Sequence, residues 1–230
     1  PLFHKSPRRF DELMKYLTNI EPLQLPELER DVDLLSFQNG VLRLSTLEFR
    51  PYADLPPVLS PEDWVARHHV PLPYHGRTET PLLDRVLGHQ FEPEVAELLC
   101  VMMGRLLYPL GAFDNWQVMP YLVGLGSTGK STILKTVSHL LAPDAVGNLN
   151  SRCEEIFGMA NIADKDVVIG RDMPEKLSTV LPQDLMQCMT SGEGVQVARK
   201  NAGASQQDWR APAVLARHHM PDYVNSGNNV

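Results

Sequence analysis

The segment Gly124–Ser131 most constrains what this chain can fold into, because its spacing, G-x-x-x-x-G-K-S, is that of a phosphate-binding loop. Its glycines permit backbone angles that other residues rarely adopt, so successive amide groups can point at one anion. Within the loop, Lys130 would contact β- and γ-phosphates and Ser131 would ligate Mg²⁺. The sequence therefore predicts a site for ATP with Mg²⁺, formed by Gly124, Gly126, Ser127, Thr128, Gly129, Lys130, Ser131 and Thr132.

The flanking residues distinguish such a site from a glycine-rich turn that matches by chance. Residues 118–123 form an apolar run of strand length before the loop. After it, apolar residues recur at helical spacing over 133–141, followed by Ala142-Pro143. Strand, loop and helix in this order place phosphates at a helix N-terminus, where free N–H groups and the helix dipole favour an anion. The context thus favours a nucleotide site.

Downstream of the loop, strand and helix signals alternate. Residues 166–170 and 213–216 predict short buried strands, and 195–200 predict one arm of a hairpin. Helices are predicted for 151–157, which opens with a capping box, and for 182–189. This alternation predicts an α/β fold, a P-loop NTPase core with an AAA+-like parallel sheet flanked by helices.

The residues before the loop predict a separate accessory domain. An Asn39-Gly40 turn leads into an alternating strand, and a proline-rich connector follows over 51–81. A helix from Thr80-Pro81 should bury Leu82, Leu83, Val86 and Leu87, and a second, over 93–108, should bury Leu98, Leu99, Met102, Leu106 and Leu107. We therefore expect a mostly helical accessory domain over 1–110 and the ATPase core over 111–230.

Composition narrows the classes of function. The chain is 43% hydrophobic and 21% charged, typical of a globular protein, and it has no apolar run of eighteen residues that would predict a membrane span. The net charge of −7 argues against a general polyanion-binding surface but allows a local basic groove. Three widely spaced cysteines, Cys100, Cys153 and Cys188, predict buried thiols in a reducing compartment.

Two acids are candidates for the metal side of the site. Asp172 follows the apolar run of 167–170 and is the only acid so placed. It would hold Mg²⁺ opposite Ser131, or else it is an acid in a turn before Met173-Pro174. Glu175 would polarise the attacking water, or it would face solvent as a helix-cap acid beside Lys176. The sequence leaves both roles of Glu175 open.

Arg199 and Lys200 are the candidate DNA-binding residues. They should lie at the tip of the predicted hairpin, where a basic surface suits the phosphates of single-stranded DNA. Adjacent cations on a loop are also often simply solvated, so composition alone leaves this open. The histidine pairs at 68–69 and 218–219 lack cysteine or acid partners at metal spacing, and we do not predict zinc there.

From Gly124 onward the order of elements resembles the superfamily 3 helicases of DNA viruses. Residues 171–175 (RDMPE), 190–195 (TSGEGV) and Arg199-Lys200 are most similar to the primase-helicases of poxviruses and other large nucleocytoplasmic DNA viruses. Residues 37–42 and 71–74 resemble the domain that precedes the helicase core in that group. The resemblance covers roughly residues 35–230.

The resemblance implies a hexameric ring ATPase that moves along single-stranded DNA, located in the cytoplasm or the nucleus. It assigns catalytic roles to Lys130, Asp172 and Glu175 and places His218 where the family has a sensor asparagine. The chain stops at Val230, where the family would supply arginines that reach a neighbouring nucleotide, so we expect a fragment. The alternatives are a degenerate nucleotide-binding or assembly module without helicase activity, and a small-molecule kinase, for which the sequence shows neither lid arginines nor an acceptor pocket.

Overall fold

The computed structural model describes residues 11–12, 14–16, 31–55, 65–77, 79–150, 159–199 and 203–222. These residues form two four-stranded sheets and one two-stranded hairpin. The strands are β1 (Asp31–Phe37), β2 (Gly40–Arg43), β3 (Phe49–Pro51), β4 (Ala66–His69), β5 (Tyr121–Val123), β6 (Val146–Leu149), β7 (Val167–Gly170), β8 (Gly194–Arg199), β9 (Gly203–Asp208) and β10 (Ala213–Arg217). The α-helices are α1 (Pro81–Gln90), α2 (Pro93–Arg105), α3 (Lys130–His139) and α4 (Gln183–Ser191).

The first sheet has the order β3-β2-β1-β4, with β4 parallel to β1 and the other pairs antiparallel. The prediction of a mostly helical accessory domain is therefore wrong for residues 31–69. Strand β4 has the sequence ARHH, which lacks the alternating apolar residues of a strand signal. It becomes a strand through pairing with β1, in which the apolar residues Leu34 and Leu35 are buried.

Two segments that resemble the domain preceding a helicase core contact each other directly. The Asn39 side chain donates to the Tyr74 carbonyl and accepts from the Tyr74 amide, both at 2.8 Å. The Tyr74 ring lies 5.1 Å from the Phe37 ring and 4.9 Å from the Phe49 ring, measured between centroids. A Cβ on Gly40 would collide with the Arg50 carbonyl oxygen, so the close approach of β2 and β3 requires glycine there.

The second sheet is wholly parallel, with the order β5-β10-β7-β6. Helix α3 covers one face, where Leu134 and Val137 pack with Ile169 and Val214. The opposite face packs against α4 and the β8–β9 hairpin, with Trp209 fully buried there. The predicted parallel sheet flanked by helices is present, although β5 is shorter than the predicted strand and the predicted helix over 151–157 lies outside the described residues.

The two helices before the loop bury less of their apolar surface than predicted. Leu87 of α1 is buried, but Leu82 is 70% exposed and Val86 is 50% exposed. In α2, Leu98 is 50% exposed, because this helix packs into the core through Met103 at its C-terminal end. Helix α2 ends at Arg105, before the predicted end at Tyr108. The Met103 and Leu106 contacts with α3 cross the predicted boundary near residue 110, and the division into two domains stays a prediction.

A buried polar network holds the segment between α2 and β5. Arg105, 5% exposed, donates two hydrogen bonds of 2.8 Å to the Asp114 carboxylate and others to the carbonyls of Trp116 and Val118. Tyr108 donates to the same carboxylate at 2.8 Å. The Arg105 hydrogen bonds lower the pKa of Asp114 to about 2, against the effect of burial. Burial, reinforced by Asp114, raises the pKa of Tyr108 to about 12.

Strand β4 of the first sheet contacts the residue that precedes β7 of the second sheet. Arg67 Nε lies 3.5 Å from Asp166 Oδ1, and His68 Nδ1 lies 2.8 Å from Asp166 Oδ2. Asp166 immediately precedes β7, so β4 is fixed at the amino end of a central strand.

Cys100 is exposed, contrary to the prediction of buried thiols, and Cys188 is partly buried. Within the described ranges, no helix is both long and apolar enough to cross a bilayer.

Candidate functional site

The segment Gly124–Ser131, here called the glycine loop, connects β5 to α3. Its backbone turns through left-handed angles at Ser127 (φ 63°) and Gly129 (φ 87°). A Cβ on Gly124 would lie 2.8 Å from Thr128 Oγ1, so a larger residue there would require the Thr128 hydroxyl to move. Of the two glycines predicted to adopt special backbone angles, Gly129 has a left-handed φ and Gly124 does not.

Lys130 reaches back across the glycine loop from the first turn of α3. Its ammonium group donates to the carbonyls of Gly124 at 2.5 Å and Leu125 at 2.7 Å, and lies 3.3 Å from Thr128 Oγ1. The positive charge is thus held at the centre of the loop by its own backbone. To contact a phosphate, the ammonium would exchange these neutral acceptors for charged ones, which form stronger hydrogen bonds.

The N-terminus of α3 has the features of an anion site. No side chain caps it and no acidic residue lies in its first turn. Helices α1, α2 and α4 each carry an acid there, which already complements the helix dipole. Ser131 and Thr132 in the first turn of α3 are exposed. The uncapped N-terminus of α3, with no acid in its first turn, fits a bound phosphate group.

The parallel sheet brings the glycine loop, Asp172 and His218 to the same edge, the one where its strands end. In the strand register, Arg217 lies opposite Val123, so β5 and β10 end level, and Leu215 lies opposite Gly170, so β7 ends two residues earlier at the same edge of the sheet. Strands are about 4.8 Å apart, which places β5 and β7 about 10 Å apart with β10 between them. Asp172 follows β7, is exposed and has φ 50°, and the next amide, of Met173, bonds the Ala216 carbonyl of β10.

His218 directly borders the glycine loop. It follows β10, and its Cε1 would lie 3.8 Å from a Cβ on Gly126. The neighbouring Arg217 carbonyl accepts a hydrogen bond from the Gly124 amide at 3.3 Å. The predicted sensor residue and the predicted nucleotide loop are therefore in contact in this fold.

Glu175 lies beside Arg217, which is not among the site residues predicted from the sequence. Its carboxylate is 79% exposed and lies 4.0 Å from the Arg217 guanidinium, which is 18% exposed. Arg217 Nη1 is buried without a hydrogen-bond partner among the described residues. The signal for Arg217 in the sequence was its place at the end of a buried strand, level with the glycine loop.

The basic residues predicted for DNA contact lie on the β8–β9 hairpin. Arg199 pairs with Gly203 in the last step of the ladder, which confirms the predicted hairpin. Lys200 lies outside the described residues, as does the rest of the tip. At the base of the hairpin, Val197 and Trp209 are buried in the core, so this part is firmly anchored. The DNA-binding role of the tip stays a prediction.

An apolar groove of about 780 Å³ opens next to the glycine loop. One wall is the exposed side of α2, with Leu98, Leu99 and Met102, and the other is strand β5. Lys130 lies at the end of the groove that meets the glycine loop. The helical periodicity of α2 predicts that these side chains lie in a core, so the groove was not predicted.

The histidine pair at 68–69 has partners other than a metal. His69 Nδ1 lies 2.8 Å from the Ser36 hydroxyl, and His68 contacts Asp166. In the part of the chain that the structure describes, no three His, Cys, Asp or Glu side chains form a cluster that could hold a metal ion. The Mg²⁺ predicted at Ser131 and Asp172 would be of another kind, held jointly by the protein and by nucleotide phosphates.

Comparison with known proteins gives one family match, over residues 2–92, to the family described as D5 N terminal like. No curated protein matches the chain.

Three solved structures are similar to larger parts of the chain. The A-form apo structure of the NrS-1 C-terminal region is 12% identical, with a TM-score of 0.49 over 63% of this chain and 35% of that chain. A JCV helicase with a bound small molecule is 14% identical, with a TM-score of 0.44 over 61% and 39%. Another apo structure of the NrS-1 C-terminal region is 10% identical, with a TM-score of 0.45 over 85% and 56%. This chain thus spans from about a third to just over half of those structures, and its similarity to the D5 N terminal like family takes in β1–β4, α1 and the residues that lead to them.

Proposed function

We propose that this chain is part of an ATP-dependent DNA helicase of viral replication type, a superfamily 3 enzyme that couples ATP hydrolysis to movement along single-stranded DNA. The observation that supports this most is the common edge of the parallel sheet, where the glycine loop, Asp172 and His218 lie together. Ligands of open α/β sheets bind outside the carboxyl ends of the strands. The full-length protein would act as a ring hexamer.

The residues at this edge of the sheet would have separate roles in binding the nucleotide and in positioning the reacting groups. Lys130 and the amides of the glycine loop would hold the β- and γ-phosphates, and Ser131 with Asp172 would ligate Mg²⁺. The bound metal would supply neutralisation of the charge that develops on the phosphates. Glu175 would orient the attacking water, and His218 would contact a phosphate or that water from the glycine loop side. Catalysis would then consist of positioning and electrostatic stabilisation.

The region before the glycine loop supports the same proposal. Residues 2–92 match the D5 N terminal like family, and the resemblance to the domain preceding a helicase core was carried by residues 37–42 and 71–74 within that range. The hydrogen bonds between Asn39 and Tyr74 join those two segments. The family match over this range therefore favours a primase-helicase type of protein.

A metal-side role for Asp172 predicts a selective defect in Asp172→Asn. The amide keeps the size of the side chain but removes the charge that would attract Mg²⁺, so nucleotide binding should persist while its Mg²⁺ dependence weakens. Hydrolysis should fall about 100-fold or more, the order found when one electrostatic contact to the reacting group is lost. Mg²⁺ titrations of nucleotide affinity and steady-state ATPase rates, in the full-length protein, measure both effects.

Asp164→Asn is the matched control, because Asp164 is an exposed acid at the amino side of β7. It should leave the Mg²⁺ dependence unchanged. A wild-type hydrolysis rate in Asp172→Asn would contradict the assignment and make Glu175 the next candidate for the metal acid.

The hairpin predicts a change in the salt dependence of DNA binding. The double substitution Arg199→Ala with Lys200→Ala should weaken binding of single-stranded DNA and leave ATP affinity unchanged. Each lost phosphate contact lowers the slope of log affinity against log salt by about 0.7 for single strands, so the double variant should lose about 1.4 if both residues contact phosphates. Fluorescence anisotropy of a labelled oligonucleotide across a salt series measures the slope.

The control for the hairpin removes two exposed cations elsewhere, Arg85 on α1 and Lys135 on α3. It changes the net charge equally and should leave the slope at the wild-type value. An equal drop in both double variants would mean that DNA responds to overall charge, and the helicase would lose its proposed DNA-contacting hairpin.

A second candidate function, a nucleotide-binding assembly module without helicase activity, is favoured by His218. Its imidazole presents hydrogen-bonding groups on a ring, with a different geometry from the amide of the asparagine expected at this place. The two functions differ in turnover: the helicase should hydrolyse ATP faster with single-stranded DNA and separate a tailed duplex. If the full-length protein binds ATP but shows neither DNA-stimulated hydrolysis nor duplex separation, the assembly module is the better description.

A further inference from the structure

The apolar groove beside the glycine loop has the size and chemistry of a site for the base of a nucleotide. Its volume of about 780 Å³ lies within the range of pockets for small molecules, which are mostly apolar with a few placed polar groups. Leu98 on α2 is half exposed there, and Met102 is partly buried. Flat bases pack well on such side chains, and methionine adapts to aromatic surfaces.

The groove is continuous with the glycine loop, and this continuity identifies its occupant. Gly124, Thr128 and Lys130 belong both to the loop and to the groove lining. A nucleotide whose phosphates are held by the loop amides and Lys130 must place its remaining parts, sugar and base, in adjoining space. The groove provides that space between α2 and β5.

Gln90 places an amide at the entrance of this groove. It is the last residue of α1, is exposed, and lines the groove close to the glycine loop. Its Oε1 and Nε2 would lie 3.7 Å and 3.8 Å from a Cβ on Gly129. The amide therefore lies where the groove meets the glycine loop, with both its donor and its acceptor available on that side.

We propose that Gln90 is a specificity-determining residue that selects adenine over guanine in the nucleotide site. This inference rests on the proposed function. A glutamine amide pairs with adenine through two hydrogen bonds, accepting from the N6 amino group and donating to N7. Guanine offers two acceptors, O6 and N7, at the same positions, so one half of the amide has no partner. A residue of helix α1, in the accessory region, thus recognises the base, and the glycine loop of the core holds the phosphates.

The experiment compares three ligands on the full-length protein by calorimetry: ADP, GDP and inorganic tripolyphosphate, each with Mg²⁺. The variant Gln90→Leu keeps the approximate volume of the side chain and removes both polar atoms. We expect wild type to prefer ADP over GDP by about 5- to 150-fold, the discrimination typical of one bidentate amide–base pair. In Gln90→Leu the preference should fall to within about threefold of unity, with affinity for tripolyphosphate unchanged.

A matched control is Gln187→Leu, which alters an exposed glutamine of α4 away from the groove and should keep the wild-type preference. A preference for ADP that survives in Gln90→Leu would overturn the inference alone. Loss of tripolyphosphate affinity in Gln90→Leu would also overturn it, because Gln90 would then support the glycine loop. If wild type bound none of the three ligands, the proposed function itself would fail.

Discussion

Replacing Lys130 with alanine should abolish measurable ATP hydrolysis and weaken nucleotide binding by about 10- to 150-fold. The lost contact is a hydrogen bond between charged groups, worth about 1.5–3 kcal/mol in binding. Its effect on hydrolysis should be larger, because charge accumulates on the transferred phosphoryl group in the transition state. In the present structure the ammonium already lies at the centre of the glycine loop, held by the Gly124 and Leu125 carbonyls.

Lys135→Ala provides the control for this substitution, since Lys135 is an exposed lysine of the same helix. It should bind and hydrolyse ATP as wild type does. Calorimetry with an ATP analogue and steady-state ATPase assays on the full-length protein measure the two effects, and circular dichroism checks that α3 survives. Equal affinity for nucleotide in wild type and Lys130→Ala would remove the nucleotide site from this loop.

Replacing Asp114 with alanine should destabilise the protein by about 3–5 kcal/mol, the cost of leaving a buried charge without its partner. Arg105 is 5% exposed and would keep only its hydrogen bonds to backbone carbonyls. The matched control, Asp208→Ala, breaks an arginine–aspartate pair whose side chains are 53% and 64% exposed, and should cost less than about 1 kcal/mol. Urea denaturation measures both, and similar losses would show that the Arg105–Asp114 pair is not special.

The same pair predicts a dependence of stability on pH. Because the pKa of Asp114 is about 2 in the folded protein and 3.8 ordinarily, its contribution is complete above about pH 4 and is lost as the pH falls from 4 to 2. The loss is about 2 kcal/mol. Tyr108, with its pKa raised to about 12, stabilises the fold below pH 10 and loses this effect between pH 10 and 12. Compared with wild type, Asp114→Asn should show a flatter unfolding free energy between pH 4 and 2.

The core elements around the glycine loop could be predicted from sequence because their signals are local. Strand β7 and the first four residues of β10 are short buried runs of apolar residues, and α3 has apolar residues at helical spacing. The glycine loop itself has a motif in which each residue type follows from the ligand. For such segments, local preference and tertiary packing agree.

The elements that could not be predicted from the sequence depend on contacts between residues that are distant in the chain. Strand β4 has no strand signal of its own and forms only by pairing with β1. The groove brings Gln90 and Leu98 beside β5, and no periodicity in one segment can reveal a space formed by three. The exposure of Leu98 was mispredicted for the same reason. An apolar helix face has the same sequence pattern whether it packs in a core or lines an open groove.

The position of β10 between β5 and β7 also determines when the site can form during synthesis. Strands β5 and β7 do not pair with each other, so their common edge exists only after residues 213–217 have inserted between them. At ordinary rates of translation, β10 follows β5 by roughly 5–20 s. During that interval both strands present open edges, a state prone to aggregation and to capture by chaperones. A nascent chain arrested before residue 213 should therefore carry the complete glycine loop and still fail to bind nucleotide.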